Sequence, residues 1–305
     1  MDGALLGQTA AIITSCLWTI NSLLFASAGK RIGSISVNAY RIICAVGLLS
    51  ATHLILFHQF LPSATTEQWF WIGLSGIIGL GIGDFGLFAA FVIIGPRRSV
   101  LIMALSPIFA AIGGYLVLHE ILTPFSIVGI AVTLTGVILV ILENEEKSNE
   151  EVLPRRMKMW GSLLAFIGAI GQGTGIVLAK NGIWLYESNP LNPLSATLIR
   201  MILGSLFIWF VVLVAGKLPE IQKAFHNRQG LKLTVLGAFI GPFLGVTFSM
   251  IAATLSEVGI AQTLMSLMPV LIIPILWIHY RQKTSPRGIL GALIAVAGVA
   301  MLFMH

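Results

Sequence analysis

Ten runs of about 20 apolar residues follow one another along this chain with little between them, and that pattern leaves few folds open. The hydrocarbon core of a bilayer is about 30 Å thick, which a helix crosses in roughly 20 residues. In lipid, an isolated strand would leave backbone groups unpaired, so each run is expected to be a helix. The runs lie near residues 5–27, 36–57, 69–93, 99–118 and 122–142, then 159–180, 193–215, 231–254, 257–279 and 286–304. Of the 305 residues 57% are apolar and 10% charged, with a mean hydropathy of +0.95, which excludes an ordinary soluble domain. The spacing predicts an all-α polytopic membrane protein. No basic residue precedes the first run and no small-residue cleavage site follows it, so it is expected to be a permanent helix.

A net charge of +6 would suggest nucleic acid in a soluble protein, but here the cations are distributed as topology signals. Of the 18 Lys and Arg residues, Arg41 and Arg200 lie inside apolar runs and Lys180 lies at the end of the sixth; all the others fall in odd-numbered loops or, as Lys232 and Arg287 do, at the edge of the run that follows one. Cytoplasmic loops carry the excess of Lys and Arg. The odd loops are therefore expected in the cytoplasm, with both termini outside a cell (cytoplasmic) membrane. No nucleic-acid partner is expected; the basic loops offer contact to anionic lipid headgroups.

The segment Glu143 to Lys158 holds five glutamates, four basic residues and one proline, and reads as a solvated cytoplasmic linker between residues 1–142 and 159–305. The halves repeat each other. A shift of 162 lays Met103, Leu105, Pro107, Pro124, Gly129 and Gly136 on Met265, Leu267, Pro269, Pro286, Gly291 and Gly298, and Gly79 and Gly83 on Gly241 and Gly245. A shift of 159 lays Arg41 on Arg200, which implies a small insertion between the second and third helices of one half. Five crossings per repeat place the halves in opposite orientation, the architecture of alternating-access carriers. Duplication for packing alone is the plainer alternative.

Over essentially its whole length the chain resembles the drug/metabolite transporter superfamily, and within it the ten-helix EamA-type proteins. The resemblance rests on Arg41, on the run Gly95, Pro96, Arg97, Arg98 and Ser99, on Pro107, and on His119 and Glu120 before Pro124 and Gly129. Arg200, Pro269, Pro286 and Gly291 are their partners in the second half. It implies a secondary transporter, an exporter of amino acids or other small amphiphilic metabolites, and no enzyme. Two departures stand out: Arg281 and Gln282 occupy positions where family members usually show glycine and glutamate, and the family is usually drawn with both termini inside.

An ionisable side chain within a span costs at least about 2.5 kcal/mol on insertion scales, so such residues are functional candidates. Asp84 in the third helix, Arg41 in the second and Arg200 in the seventh stand out. Arg41 is long enough to reach Asp84, and an ion pair that breaks as Asp84 takes a proton would couple transport to the proton gradient. The alternative is that Arg41 reaches back to the interface and Asp84 is a static tie.

Gly81, Ile82, Gly83, Asp84 and Phe85 resemble an intramembrane aspartyl protease signature, but that chemistry needs two carboxylates sharing a proton, and the only other aspartate is Asp2. No GxxxxGK[ST] loop, GxSxG elbow or mid-depth histidine–nucleophile pair is present, so neither hydrolysis nor a bound cofactor is expected. Cys16 and Cys44 lie in separate apolar runs, give no disulfide or metal pattern, and are expected to be small core residues.

Polar residues near mid-depth outline a substrate pathway: Ser15, Trp18 and Asn21 in the first helix, Gln172 and Thr174 in the sixth, and Thr247 and Ser249 in the eighth, with Ser106 and Gln262 able to serve the same cavity. The amides of Asn21 and Gln172 are the stronger candidates, since lipid satisfies neither donor nor acceptor. Pro107 and Pro269 are expected to kink the fourth and ninth helices beside the substrate. Gly129, Thr133 and Gly136 face one seam and Gly291, Ala295 and Gly298 another; close contact is expected, within one chain or between two, so monomer and homodimer both stay open. The leading reading is a secondary carrier of a small molecule; the second is a membrane scaffold of the same fold that moves nothing.

Overall fold

The computed structural model describes residues 3–143, 154–186, 190–280 and 286–304. Among them, ten stretches are long and apolar enough to cross a membrane. The first half contains α1 (Gly3–Ile32), α2 (Ser34–Phe57), α3 (Thr66–Ser75), a π-helical stretch (Gly76–Gly83), α4 (Asp84–Met103), α5 (Ser106–Leu118) and α6 (Pro124–Glu143). The second contains α7 (Arg155–Ile183), α8 (Pro193–Val214), the short α9 (Leu218–Ala224), α10 (Arg228–Ala238), a second π-helical stretch (Phe239–Gly245), α11 (Val246–Leu255), α12 (Val258–Met265), α13 (Met268–Tyr280) and α14 (Pro286–Phe303). Most of the linker, together with Arg281 and Gln282, lies outside the described residues, and Arg155, Arg156 and Lys158 begin α7 in place of ending a loop.

Local chemistry sets the ends. Between α1 and α2 the chain turns on Gly33 at φ 79°, a left-handed conformation that glycine adopts without a Cβ penalty. Thr65 and Gln68 form a reciprocal capping box at the start of α3, and Asn192 caps α8 ahead of Pro193.

The contacts of α7 trace the path of the first half. Going up α7, Gly161 packs on Ile93 and Ile94, Gly171 on Ile78 and Gly83, and Gly182 on Trp71 and Ile72, so the third crossing runs antiparallel to it. Gly168 also meets Met103, Gly173 meets Ser106 and Phe109, and Gly113 meets Val177, so the fourth crossing runs back alongside. The reversal falls between Ile94 and Met103, within the stretch named α4, which therefore closes the third crossing and opens the fourth. Glycines let these backbones approach, the usual device where no hydrophobic force drives helices together in lipid.

The fifth and tenth crossings, α6 and α14, meet within one chain. A Cβ on Gly291 would lie 2.9 Å from Gly136 O, Leu139 Cβ and Val140 N, and a Cβ on Gly298 would collide with Thr133.

The internal repeat is visible in these contacts. Gly7 of α1 rests on Leu255 as Gly161 of α7 rests on Ile93; 255 − 93 is the 162 offset, while 161 − 7 gives 154 for the first helix of each half. The same offset relates Thr14, beside the Gly245 carbonyl, to Gly168 beside that of Gly83, and Trp18, against Gly245, to Gln172 against Gly83. Both halves carry the π-helical stretch at matching places. Glycines 76, 79, 81 and 83 accompany it in one, and Pro242, which donates no backbone hydrogen bond, interrupts it in the other.

Two expectations need correction. Pro107 and Pro269 are not interior kinks: each is the second residue of its helix, α5 or α13, where its missing N–H is unneeded. The interruptions lie just ahead, at Ala104–Leu105 and Ser266–Leu267, closed by short i−3 bonds from Leu105 N to Ile102 O and from Leu267 N to Leu264 O. The fourth and ninth crossings are therefore discontinuous helices. Cys16 is exposed on the outside of α1 and is no core residue; Cys44 is half-buried.

Candidate functional site

Asp84 follows directly on the glycine-rich π-helical stretch, one of the few devices that re-aims a side chain within a helix. Its carboxylate is 7% exposed and gathers groups from both halves. Arg41 Nη2 of α2 forms an ion pair with Oδ2, and Gln172 Nε2 of α7 donates to Oδ1 at 2.8 Å. The same amide nitrogen lies 3.3 Å from the carbonyl of Gly79. Arg41 is steadied in turn: its Nε donates to Asn38 Oδ1 at 2.7 Å, and its guanidinium carbon sits 5.6 Å from the centre of the Phe25 ring.

Arg200 occupies the matching position in α8, seven residues after Pro193 as Arg41 is seven after Ser34, but its surroundings differ. It is 4% exposed, and among the described residues its Nη1 donates only to the sulfur of Met250 at 3.7 Å and its Nε has no partner. Gly79 and Gly175 make room for it: a Cβ on either would fall 2.6 Å and 3.3 Å from Nη2. Gly79 thus lies between the Gln172 amide on one side and the Arg200 guanidinium on the other. The position matching Asp84 in the second half, 84 + 162, is Val246, so the second half has no carboxylate at that place.

The other pathway residues divide into two groups. Gln262 Nε2 donates to Ser106 Oγ at 3.1 Å, joining α12 to the start of α5 beside the two interruptions. Ser15 Oγ and Asn21 Oδ1 are buried without a hydrogen-bond partner among the described residues, and Asn21 and Trp18 lie against Gly241 and Gly245 of the second π-helical stretch. By contrast, Thr174, Thr247 and Ser249 return their hydroxyls to their own helices, to Ile170 O at 2.7 Å, Phe243 O at 2.6 Å and Val246 O at 2.8 Å.

Two residues join the picture that the apolar pattern did not single out as a pair. Lys180, in the last turn of α7, contacts Glu120 Oε1 at 2.6 Å and donates to Ser256 O at 2.7 Å, while Glu120 Oε2 accepts from Val258 N at 2.8 Å. Trp184 Nε1 adds a bond to Thr254 O at 3.2 Å. One carboxylate and one ammonium therefore tie the ends of α5, α7 and α11 to the start of α12, across the two halves. The signal available in the sequence is that Lys180 is the lone cation at the face opposite the odd loops.

At the far end of α2 a polar pocket of about 710 Å³ opens among His53, Gln59, Gln68, Tyr186, Asn192 and Ser195. Its groups are already engaged: His53 meets Gln59 O at 2.7 Å and Ser195 Oγ at 3.0 Å, and Gln68 serves the α3 cap. Among the described residues, no three His, Cys, Asp or Glu side chains come together to hold a metal.

Comparison with known proteins agrees with this architecture. A crystal structure of a protein 17% identical superposes with a TM-score of 0.71, covering 98% of this chain and 94% of its own, a likeness of fold. No curated protein matches the sequence significantly. The profile of the EamA-like transporter family matches twice, over residues 5–142 and 159–304. With both halves matched, this multi-pass membrane protein belongs to the EamA-like transporter family, part of the drug/metabolite transporter superfamily.

Proposed function

We propose that this chain is a secondary carrier that exports amino acids or other small amphiphilic metabolites, with residues 1–142 and 159–305 rocking about a central site and 143–158 linking them in the cytoplasm. The observation that carries the reading is the sharing of Asp84 between Arg41 of the first half and Gln172 of the second. Any motion of one half against the other strains this contact. Protonation of the carboxylate would release Arg41 and let the halves separate, which couples transport to a proton. Ser15, Asn21, Ser106 and Gln262 supply neutral polar groups, and Ser15 and Asn21 have unmet capacity. Arg41 and Arg200 against Asp84 leave a surplus of one positive charge, which a substrate carboxylate would neutralise; that supports amino acids among the candidates. The Lys180–Glu120 contact closes one end in this conformation. The cation distribution supports that end, and both termini, lying outside the cell; a reporter active only in the cytoplasm, fused after His305, should then be silent.

The test is flux in proteoliposomes under an imposed pH gradient, with pooled amino acids and small metabolites. Substrate-evoked proton flux is expected with the wild type and absent with Asp84→Asn. Equal proton flux in both would remove Asp84 from coupling, and no flux for any pool with the wild type would favour the scaffold.

A further inference from the structure

On the outer surface of the helix bundle, away from the Asp84 site, α2 and α10 leave a groove of about 580 Å³ between Leu48, Leu231, Val235, Leu236 and Phe239. Its walls are almost wholly apolar, but Arg228 and Lys232 stand at one end. These two are four residues apart and thus neighbours on one helix face. Both are exposed, and neither side chain has an ion pair or hydrogen bond among the described residues. Pairing is otherwise available at this end of the molecule, since Lys217 is satisfied by Glu220 at 2.5 Å.

We propose that this groove binds one anionic phospholipid, its phosphate on Arg228 and Lys232 and one acyl chain along α10. Size and charge both fit. From Arg228 to Ala238 there are ten residue steps, which at 1.5 Å each make about 15 Å. That is half of a hydrocarbon core about 30 Å thick, so the groove runs from headgroup depth to the bilayer middle, the length of one leaflet's chain. A zwitterionic headgroup would bring a positive choline or amine to two cations; an anionic one without an amine, such as phosphatidylglycerol, does not. Each cation near an anionic lipid is worth about a fivefold preference, so the pair predicts roughly 30-fold. The site also touches the working parts. Phe239, at its deep end, opens the π-helical stretch whose Gly241 and Gly245 bear Asn21 and Trp18, and Leu48 belongs to the helix that carries Arg41. A bound chain therefore supports α2 against α10 from outside.

The experiment counts phospholipids retained by the full chain in detergent by native mass spectrometry, comparing phosphatidylglycerol with phosphatidylcholine. The wild type should keep one phosphatidylglycerol in preference, by about 30-fold. Arg228→Gln with Lys232→Gln should lose the preference. Val235→Trp, at a position 48% exposed, should fill the groove and lose the retained molecule although all charges remain. Lys30→Gln with Lys223→Gln removes equal charge elsewhere on the same face and should change nothing. Retention by Val235→Trp, or an equal loss with Lys30→Gln and Lys223→Gln, would show diffuse attraction to a basic surface and overturn the site.

Discussion

Replacing Lys180 by methionine should open one end of the protein. The methionine keeps the apolar stem but removes two charge-assisted contacts, to Glu120 at 2.6 Å and to the Ser256 carbonyl at 2.7 Å. Such bonds contribute about 1.5–3 kcal/mol each. The two side chains are 14% and 13% exposed, so water can reach the carboxylate left behind and the low end of the range applies. The loss is then about 3 kcal/mol, a factor of roughly 150 in an equilibrium between closed and open forms if the clamp exists only in the closed one. The reporter is Ser256→Cys, a position 4% exposed, with Cys16→Ser and Cys44→Ser to silence the native thiols. Its reaction with a charged, membrane-impermeant maleimide should quicken at least tenfold and at most about 150-fold in Lys180→Met. Glu120→Gln should have a smaller effect, because the amide oxygen still accepts from Val258 N. A labelling rate within twofold of the parent would refute the clamp, and adding the reagent to intact cells shows which face it closes.

Three further outcomes are expected. Gln172→Leu leaves Asp84 Oδ1 without its amide donor and should lower flux 10- to 150-fold, the equivalent of one hydrogen bond to a charge, whereas Thr174→Val and Thr247→Val should leave flux within twofold because those hydroxyls bond their own helices. Gly291→Ala should destabilise the detergent-solubilised protein by about 1–3 kcal/mol through the α6–α14 seam; Gly47→Ala, where nothing lies within 4 Å of the added carbon, should stabilise it by up to about 1 kcal/mol. Equal shifts for the two glycines in a chemical unfolding series would contradict the seam. Arg200→Met should abolish flux of a carboxylate-bearing substrate while the Asp84–Arg41 contact persists, seen as an unchanged unfolding midpoint for that variant within about 1 kcal/mol; a carrier that still moves amino acids without Arg200 would remove the surplus charge from the account.

Much of this architecture is legible in the sequence. Apolar length alone locates all ten crossings, because nothing else pays the cost of lipid. The contact between Arg41 and Asp84 was also legible, since few charges lie inside the spans and the guanidinium has the reach. What stayed hidden depends on neighbours in space. The 154 offset of α1 on α7 pairs Trp18 with Gln172 and Asn21 with Gly175, residues too unlike to align by type. Glu120 and Lys180 each resemble an ordinary charge at a helix end until the chain brings them together. Thr174 and Thr247 have the right depth for a pathway, but a hydroxyl's choice of its own carbonyl leaves no trace in spacing. Pro107 and Pro269 fall in the right crossings, yet the interruption precedes them by two or three residues.

The two π-helical stretches are like screw threads cut into the third and eighth crossings. Moving one residue into or out of such a thread turns everything beyond it by about 100° and advances it about 1.5 Å. Asp84 is the first residue past one thread, and Val246 the first past the other. Rotation at this joint would carry the carboxylate from one neighbour towards another while the glycine seams on either side remain in register.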